Sequence, residues 1–266
     1  MRDQVGLDVL ANVVSMMRAS VDGAIWLVDD DDEATFYKKC ANHKAEVVPS
    51  TGLALELLDV VQKRGVEGVV ACVRGSERIT RDSENVFRPS NGDVASLLVA
   101  SRSCDLVIED ICGPAWFTAG QKEVGSIRSR IVWIASLLHR LCERYSVYPG
   151  PMEFKDAIQW DVLDVDWALL RQTLVDQEIS LTALEEVMAS AARGADFDAD
   201  IIDCDGRDAL YLLAAATRLF KPRGITARRV VDAAEAMGML RVAFRLDELE
   251  TDEMFCEFAV SVRDPS

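Results

Sequence analysis

Five acidic residues in the first half of this 266-residue chain stand where carboxylates could hold a divalent cation. Two directly follow the apolar run AIWLV, one lies in LALELLDVVQKRG, one begins an apolar segment and one ends DLVIED: Asp29, Asp30, Glu56, Asp93 and Asp110. Carboxylate oxygens are preferred ligands of Mg²⁺ and Mn²⁺, and such an ion can bridge to phosphate oxygens and activate water. If these acids converge, they predict metal-assisted hydrolysis of a phosphodiester.

The same acids also have a structural interpretation. The chain holds 45 Asp and Glu residues, so some of them fall at the ends of elements by chance. Four consecutive aspartates at 29–32 are typical of a solvated loop, and Asp93, which follows Asn91 and Gly92, has the pattern of a helix cap. The elements that position the acids decide between the two interpretations.

The first 72 residues alternate between helix and strand patterns. Apolar residues recur at helical spacing within 3–20, which predicts an opening helix. Short apolar runs predict strands at 24–28, 46–49 and 66–72. The segments between these strands, 33–44 and 53–65, predict helices.

The next 73 residues continue the alternation after a charged segment, 74–92, that predicts a long mobile loop. The expected elements are a helix at 93–103, a strand at 105–110, an irregular or short helical stretch at 112–126, a strand or strand-to-helix passage at 127–134 and a helix at 135–145. Together they predict an α/β domain with a parallel sheet of about four or five strands and helices on both faces. Because the carboxyl ends of parallel strands share one edge, we expect the acids to meet there.

Tyr148–Pro149–Gly150–Pro151 marks the predicted domain boundary, with an α/β domain at 1–148 and a mainly helical, acidic domain at 152–266. Residues 1–150 contain 17 basic and 21 acidic residues, a net charge of −4, whereas the remainder contains 12 and 24, a net charge of −12. The second part is therefore the less suited to nucleic acid. Its helices are expected to serve as a surface for a protein partner.

A cluster of arginines lies in the segment 74–92: Arg74, Arg78, Arg81 and Arg88. Guanidinium groups of this kind could contact the phosphate backbone of RNA beside an acidic site. The alternative is that they offset neighbouring acids.

Three segments, WLVDDDDEATFY, AEVVPSTGLALELLDVV and GDVASLLVASRSCDLVIED, resemble the ordered motifs of the PIN-domain family. The segment RIVWIASLLHRLCER is similar to the closing strand and helix of bacterial PIN-like proteins, so the resemblance covers roughly 21–148. It implies that Asp29 or Asp30, with Glu56, Asp93 and Asp110, binds Mg²⁺ or Mn²⁺. It further implies an endoribonuclease that cleaves RNA with a metal-activated water, in a toxin–antitoxin or defence system.

The alternative within this resemblance is a catalytically inactive PIN-like module that acts as a protein–protein interaction protein through its helical C-terminal domain. Glu109 stands where the family usually has threonine or serine before the last aspartate. A third interpretation is a structural interaction protein without a metal site.

Composition excludes several other classes of protein. The net charge of −16 and the pI near 4.6 exclude generic coating of polyanions. Seven cysteines without a CxxC pair, together with two histidines, argue against a disulfide framework and a zinc site. No apolar run is long enough to cross a membrane, and the first 20 residues lack a signal-peptide pattern, so we expect a cytoplasmic protein without a membrane partner.

Overall fold

The computed structural model describes residues 2–29, 31–41, 46–50, 52–72, 85–87, 94–145, 156–176, 182, 185, 206–245 and 247–248. The chain divides into two compact units. The first unit comprises Met1–Val94 with Leu246–Ser266, and the second unit comprises Ala95–Arg245. Both α-helices and a parallel sheet are present, so the predicted mixed α/β class is confirmed.

The first unit carries the predicted alternation of helices and strands. In chain order its elements are α1 (Arg2–Arg18), β1 (Ile25–Val28), α2 (Asp31–Ala41), β2 (Glu46–Pro49), α3 (Ala54–Lys63), β3 (Val69–Cys72) and β4 (Val86–Phe87). The first six were expected from the sequence. The short strand β4 was not, because it lies within the charged segment predicted as a loop; most of the rest of that segment is outside the described residues.

These strands form a parallel sheet with the order β2-β1-β3-β4. The chain passes from β1 outward to β2 and then crosses to the other side of β1 to form β3. The carboxyl ends of β1 and β3 therefore flank the point where the winding of the sheet reverses direction. Doubly wound sheets bind their ligands at this position, which makes the edge the place to look for a site.

Helices cover both faces of this sheet, as predicted. All four residues of β1 are buried, as expected for a parallel strand with both faces covered. Ile25 and Leu27 belong to a buried cluster with residues of α1 and α3. Trp26 lies on the other face, where its ring centroid is 5.7 Å from that of Tyr37 on α2.

The second unit is mainly helical. Its described elements are α4 (Val94–Ala100, which begins at the last residue of the first unit), α5 (Arg102–Cys112), α6 (Pro114–Val124), α7 (Ile127–Tyr145), β5 (Ile158–Gln159), β6 (Asp164–Val165), α8 (Trp167–Asp176), α9 (Gly206–Leu219) and α10 (Ala233–Ala243). The strands β5 and β6 form an antiparallel pair, and a short 3₁₀ turn, Pro222–Gly224, follows α9. No helix that the structure describes is long and apolar enough to cross a membrane.

The strand predicted at 105–110 and the strand or strand-to-helix passage predicted at 127–134 are both helical throughout, so these predictions were wrong. The segment 105–110 belongs to α5, and 127–134 is the beginning of α7. In α5 the buried residues recur at helical spacing: Ser103, Cys104, Val107, Ile108, Ile111 and Cys112. A short apolar run such as LVI fits a strand or a buried helix equally well, and only the longer pattern separates them.

The predicted boundary at 148–152 falls outside the described residues. Elements on either side of it pack together within the second unit. Arg130 of α7 donates a hydrogen bond from Nε to the carbonyl oxygen of Leu163 over 2.9 Å and forms an ion pair with Asp164. The rings of Trp133 and Trp167 are in edge contact, with centroids 6.4 Å apart.

Candidate functional site

Three residues mark the carboxyl edge of the sheet in the first unit. Asp29 directly follows β1, Ser50 directly follows β2 and Cys72 is the last residue of β3. The exposed fractions of these residues are 9% for Asp29, zero for Ser50 and 1% for Cys72. The parallel pairing of β1 with both neighbours aligns these strand ends, as the sequence predicted for Asp29.

Asp29 holds the beginning of α3. Its Oδ1 accepts a hydrogen bond from the backbone N–H of Ala54 at 3.4 Å, and its carbonyl oxygen accepts one from Gly52 at 2.8 Å. The first N–H groups of a helix have no partner within the helix and carry the positive end of its dipole. Leu53, at the N-cap position, supplies no side-chain hydrogen bond. The Asp29 carboxylate therefore caps α3 from the neighbouring strand.

Ser50, which follows β2, stabilises the connection between β2 and α3. Its hydroxyl donates a hydrogen bond to the carbonyl oxygen of Val28 over 2.8 Å, and its backbone N–H donates to the same oxygen over 2.7 Å. The chain leaving β2 is thus tied to the end of β1 before it turns into α3.

Three further residues are buried at or next to the carboxyl edge of the sheet: Glu33, Tyr37 and Cys72. Glu33 and Tyr37 are one helical turn apart on α2, and their exposed fractions are 8% and 1%. Tyr37 makes a side-chain hydrogen bond with the Cys72 thiol. The sequence interpretation missed these three residues. The spacing of four between Glu33 and Tyr37, which puts both on one face of α2, was the available signal.

The Cys72 thiol is held in its protonated form. Burial raises its pKa well above the ordinary value, and the negative charge of Glu33 raises it further. The hydrogen bond from Tyr37 lowers this pKa, while the charge of Asp29 adds to the increase. Because the thiolate is the reactive form of cysteine, Cys72 acts here as a buried packing residue.

Glu56 lies in the first turn of α3 and is exposed to solvent. Its neighbours Ala54, Leu57 and Leu58 form the buried side of that helix. The sequence placed Glu56 at the margin of the apolar stripe, and the structure puts it on the solvent side of that margin. There its charge is favourable for the beginning of the helix.

Asp110 lies on α5 of the second unit and not at the end of a strand, which corrects the predicted position. Its side chain is 68% exposed and pairs with Arg229, with 3.9 Å between Oδ2 and Nη2. The backbone N–H groups of Arg228 and Arg229 donate to the last carbonyl oxygens of α5, at 3.1 Å each. Asp110 therefore belongs to the contact between α5 and the segment that precedes α10.

Several predicted site residues are outside the described part of the chain: Asp30, Asp93, Arg74, Arg78, Arg81 and Arg88. Asp29 and Glu56 belong to the first unit, and only Asp29 is buried at the sheet edge. Within the described ranges, no group of three or more His, Cys, Asp or Glu side chains is placed to hold a metal ion.

Comparison with known proteins gives no match for this chain. No family model, no curated protein and no solved structure is significantly similar to it.

Proposed function

We propose that this chain is a catalytically inactive PIN-like protein that acts by binding protein, and that its first unit is a non-catalytic α/β module. The observation that supports it is the role of Asp29. Its carboxylate accepts a hydrogen bond from the beginning of α3, where the helix dipole balances its charge. Such a carboxylate stabilises the fold without any bound ion.

The surroundings of Asp29 support the same proposal. Cys72 ends β3, on the other side of the point where the winding of the sheet reverses direction. Its thiol is protonated, and Tyr37 contacts it. Glu56, the next acid assigned by the resemblance, is exposed to water. At the described edge, Asp29 and Ser50 therefore bond to the backbone, and Cys72 bonds to Tyr37.

A second candidate function is the hydrolysis of RNA with Mg²⁺ or Mn²⁺. It is favoured by one observation: Asp29 and Glu33 are both buried at the sheet edge where doubly wound proteins bind ligands. Two carboxylates make a partial donor set for a hard cation, which prefers oxygen ligands. In this candidate Asp30 and Asp93 complete the set, and the arginines of 74–92 contact the RNA backbone.

One experiment separates the two candidates. Thermal unfolding is followed with and without millimolar Mn²⁺, and cleavage of mixed RNA is measured in parallel, for the wild type, Asp29→Asn and Asp110→Asn. The non-catalytic module is expected to show no cleavage and the same small response to Mn²⁺ in all three proteins.

The enzyme gives a different pattern. An ion that binds only the folded state raises its stability by about 2.7 kcal/mol at 100 times the dissociation constant. Asp29→Asn would remove both this gain and the cleavage, and that result would overturn the non-catalytic proposal.

A further inference from the structure

A basic segment connects α9 to α10 in the second unit. Residues 206–245 contain eight Lys and Arg residues against three Asp and Glu residues, a net charge of +5, whereas the rest of the chain carries −21. Five of these cations and no acid lie within 218–231, which we call the basic connector. The five are all exposed: Arg218, Lys221, Arg223, Arg228 and Arg229. The connector is therefore a strongly basic surface on an acidic protein.

The backbone of the basic connector is held by the helices that it crosses. The N–H of Arg223 donates a hydrogen bond to Glu123 Oε1 at the end of α6, over 2.9 Å. The N–H groups of Arg228 and Arg229 donate to the last carbonyl oxygens of α5, over 3.1 Å each. Arg228 also lies beside Gly113, which precedes α6, and Glu123 is ten residues, or about 15 Å, further along that helix. The connector therefore runs along α6 with cations at both ends.

Three cations of the basic connector have no acidic partner in the described part of the chain. No described carboxylate lies within ion-pair distance of Arg218, Lys221 or Arg228. Arg223 and Arg229 each pair loosely with one acid, at 3.8 and 3.9 Å. Ammonium and guanidinium groups bind anions through charge-assisted hydrogen bonds, and a guanidinium can bond to both oxygens of one carboxylate. The connector is therefore suited to a ligand with several negative charges.

Backbone donors of the basic connector favour an extended ligand. Ile225 is itself extended, with φ −79° and ψ 127°. The next two residues, Thr226 and Ala227, lie between the two ends of the connector, and no described acceptor bonds to the N–H of either. An extended segment with such donors can pair with the backbone of an extended peptide. Both the donors and the cations thus call for a ligand rich in acceptors.

The other side chains of the basic connector favour a protein ligand over a nucleic acid. Leu219 and Val230 are aliphatic and have exposed fractions of 45% and 49%. Single-stranded nucleic acids bind through phosphate contacts and through bases that stack on aromatic rings. The one aromatic residue of the connector, Phe220, is buried. A long polyanion would also extend past the connector over a protein that repels it.

We propose that the basic connector binds an acidic segment of a partner protein in which carboxylates alternate with apolar side chains. The carboxylates pair with the free cations, and the apolar side chains cover the exposed aliphatic ones. The proposal rests on the proposed protein-binding function and assigns that binding to the second unit. A connector of about 15 Å accommodates about five extended residues, so the affinity is modest and decreases as salt is added.

Fluorescence anisotropy of a labelled peptide measures this binding to the full chain. The probe is the octapeptide Asp-Glu-Leu-Asp-Glu-Leu-Asp-Glu, and its neutral counterpart has Asn and Gln in place of Asp and Glu. The acidic probe is expected to bind the wild type and to bind more weakly when salt rises from about 0.05 to 0.5 M. The neutral probe is expected not to bind. Equal binding of the two probes would overturn the proposal.

Single substitutions locate the binding. Lys221→Gln and Arg228→Gln each remove an exposed cation, and each is expected to weaken binding about tenfold through the loss of one charge-assisted hydrogen bond. Arg171→Gln on α8 is the matched control, because Arg171 is an exposed arginine outside the connector. It is expected to bind as the wild type does. Equal weakening by all three substitutions would show that only net charge matters and would overturn the connector as the site.

An RNA octamer of mixed sequence tests the other class of ligand under the same conditions. The wild type is expected to bind it more weakly than it binds the acidic peptide. Tighter binding of the RNA, reduced by Lys221→Gln and Arg228→Gln, would overturn the protein partner and assign the basic connector to nucleic acid.

The chain itself contains a run of the proposed composition, ADFDADIIDCD at 195–205, which lies outside the described residues. A variant in which the five aspartates of this run are replaced by asparagine tests whether the run competes for the basic connector. Peptide binding in this variant alone would overturn the external partner, as would the absence of binding in both proteins. Either result, combined with absent RNA cleavage, leaves the inactive assignment standing. Peptide binding together with Mn²⁺-dependent cleavage would keep the connector site and overturn that assignment instead.

Discussion

Two short apolar runs with similar sequences fold differently in the two units. IWLV forms the buried strand β1 of the first unit, whereas LVI in DLVIED lies within helix α5 of the second. The run before Asp29 is preceded by Asp22 and Gly23, which end the preceding helical pattern. DLVIED has no such break: its helix extends from Arg102 to Cys112 and ends only at Gly113, which has a φ of 83°.

The distance between breaks in the pattern therefore decides the element, more than the apolar run itself. Eleven residues between Ser101 and Gly113 are long enough for a three-turn helix, and the buried positions follow that period. The difference between strand and helix also gives different surroundings to Asp29 and Asp110, which were both predicted to bind a metal ion. Asp29 is buried at a strand end, and Asp110 is exposed on the surface of a helix.

The largest expected effect tests whether β1 is covered on both faces. Trp26→Ala and Leu27→Ala change adjacent residues that pack on opposite sides of the sheet. Each substitution is expected to lower the free energy of unfolding by about 3 to 5 kcal/mol, because both side chains are buried. Urea unfolding measures the change. A cost below about 1 kcal/mol for either variant would show that one face of the strand is open to solvent.

The next effect concerns the two acids. Asp29→Ala removes the acceptor for Ala54 at the beginning of α3 and is expected to cost about 2 kcal/mol in urea unfolding. Asp110→Ala, in a pair whose side chains are both more than half exposed, is expected to change stability by less than about 0.5 kcal/mol. Equal costs for the two variants would contradict the structural role of Asp29.

A smaller effect follows from the buried thiol at the sheet edge. Folding raises the pKa of Cys72 above its ordinary value of 9.0, so the folded state favours the protonated thiol. The resulting stabilisation is complete below pH 9 and declines as the pH rises above that value, because the unfolded chain then loses a proton that the folded chain keeps. At a pH one unit above the ordinary pKa, the free energy of unfolding is lower by about 1.4 kcal/mol.

Replacing this thiol isolates its contribution. Between pH 8 and pH 10, Cys72→Ala is expected to lose about 1 kcal/mol less stability than the wild type in chemical unfolding. Cys112→Ala is the matched variant in the second unit, since burial raises the pKa of Cys112 to about 12. Its pH dependence is expected to change in the same direction. An unchanged slope in Cys72→Ala would show that this thiol ionises freely in the folded protein.

The sequence predicted the first unit well because its elements are short and separated by clear turn formers. The strands at AIWLV, EVVP and VEGVVAC, and the position of Asp29 at their shared edge, follow from local patterns and the geometry of parallel sheets. The contact of Tyr37 with Cys72 does not, because it joins residues 35 positions apart through packing alone.

The beginnings of helices in the second unit were harder to predict. The predicted helical domain at 152–266 includes TARRVVDAAEAMG, but α10 begins only at Ala233 within this segment. Asp232 accepts a hydrogen bond from the backbone of Glu235, and the Glu235 side chain accepts one from the backbone of Asp232. This capping box was readable from the spacing of three. The extended residues before it instead bond to the end of α5, a contact that local sequence does not reveal.

The smallest expected effect discriminates most sharply between a strand and a helix at DLVIED. In a parallel strand covered on both faces, Leu106 and its neighbours would all be buried, and a charge at any of them would be costly. In α5 the side of the helix that carries Leu106 faces water, with 59% of the residue exposed, while Val107 and Ile108 are buried. Leu106→Lys is therefore expected to change the free energy of unfolding by less than about 0.5 kcal/mol. Ile108→Lys, two residues away, serves as the control and is expected to prevent stable folding, because it buries an unpaired charge. Strong destabilisation by Leu106→Lys would contradict the helix at this segment. It would instead support the predicted strand, with Asp110 at the edge of the sheet.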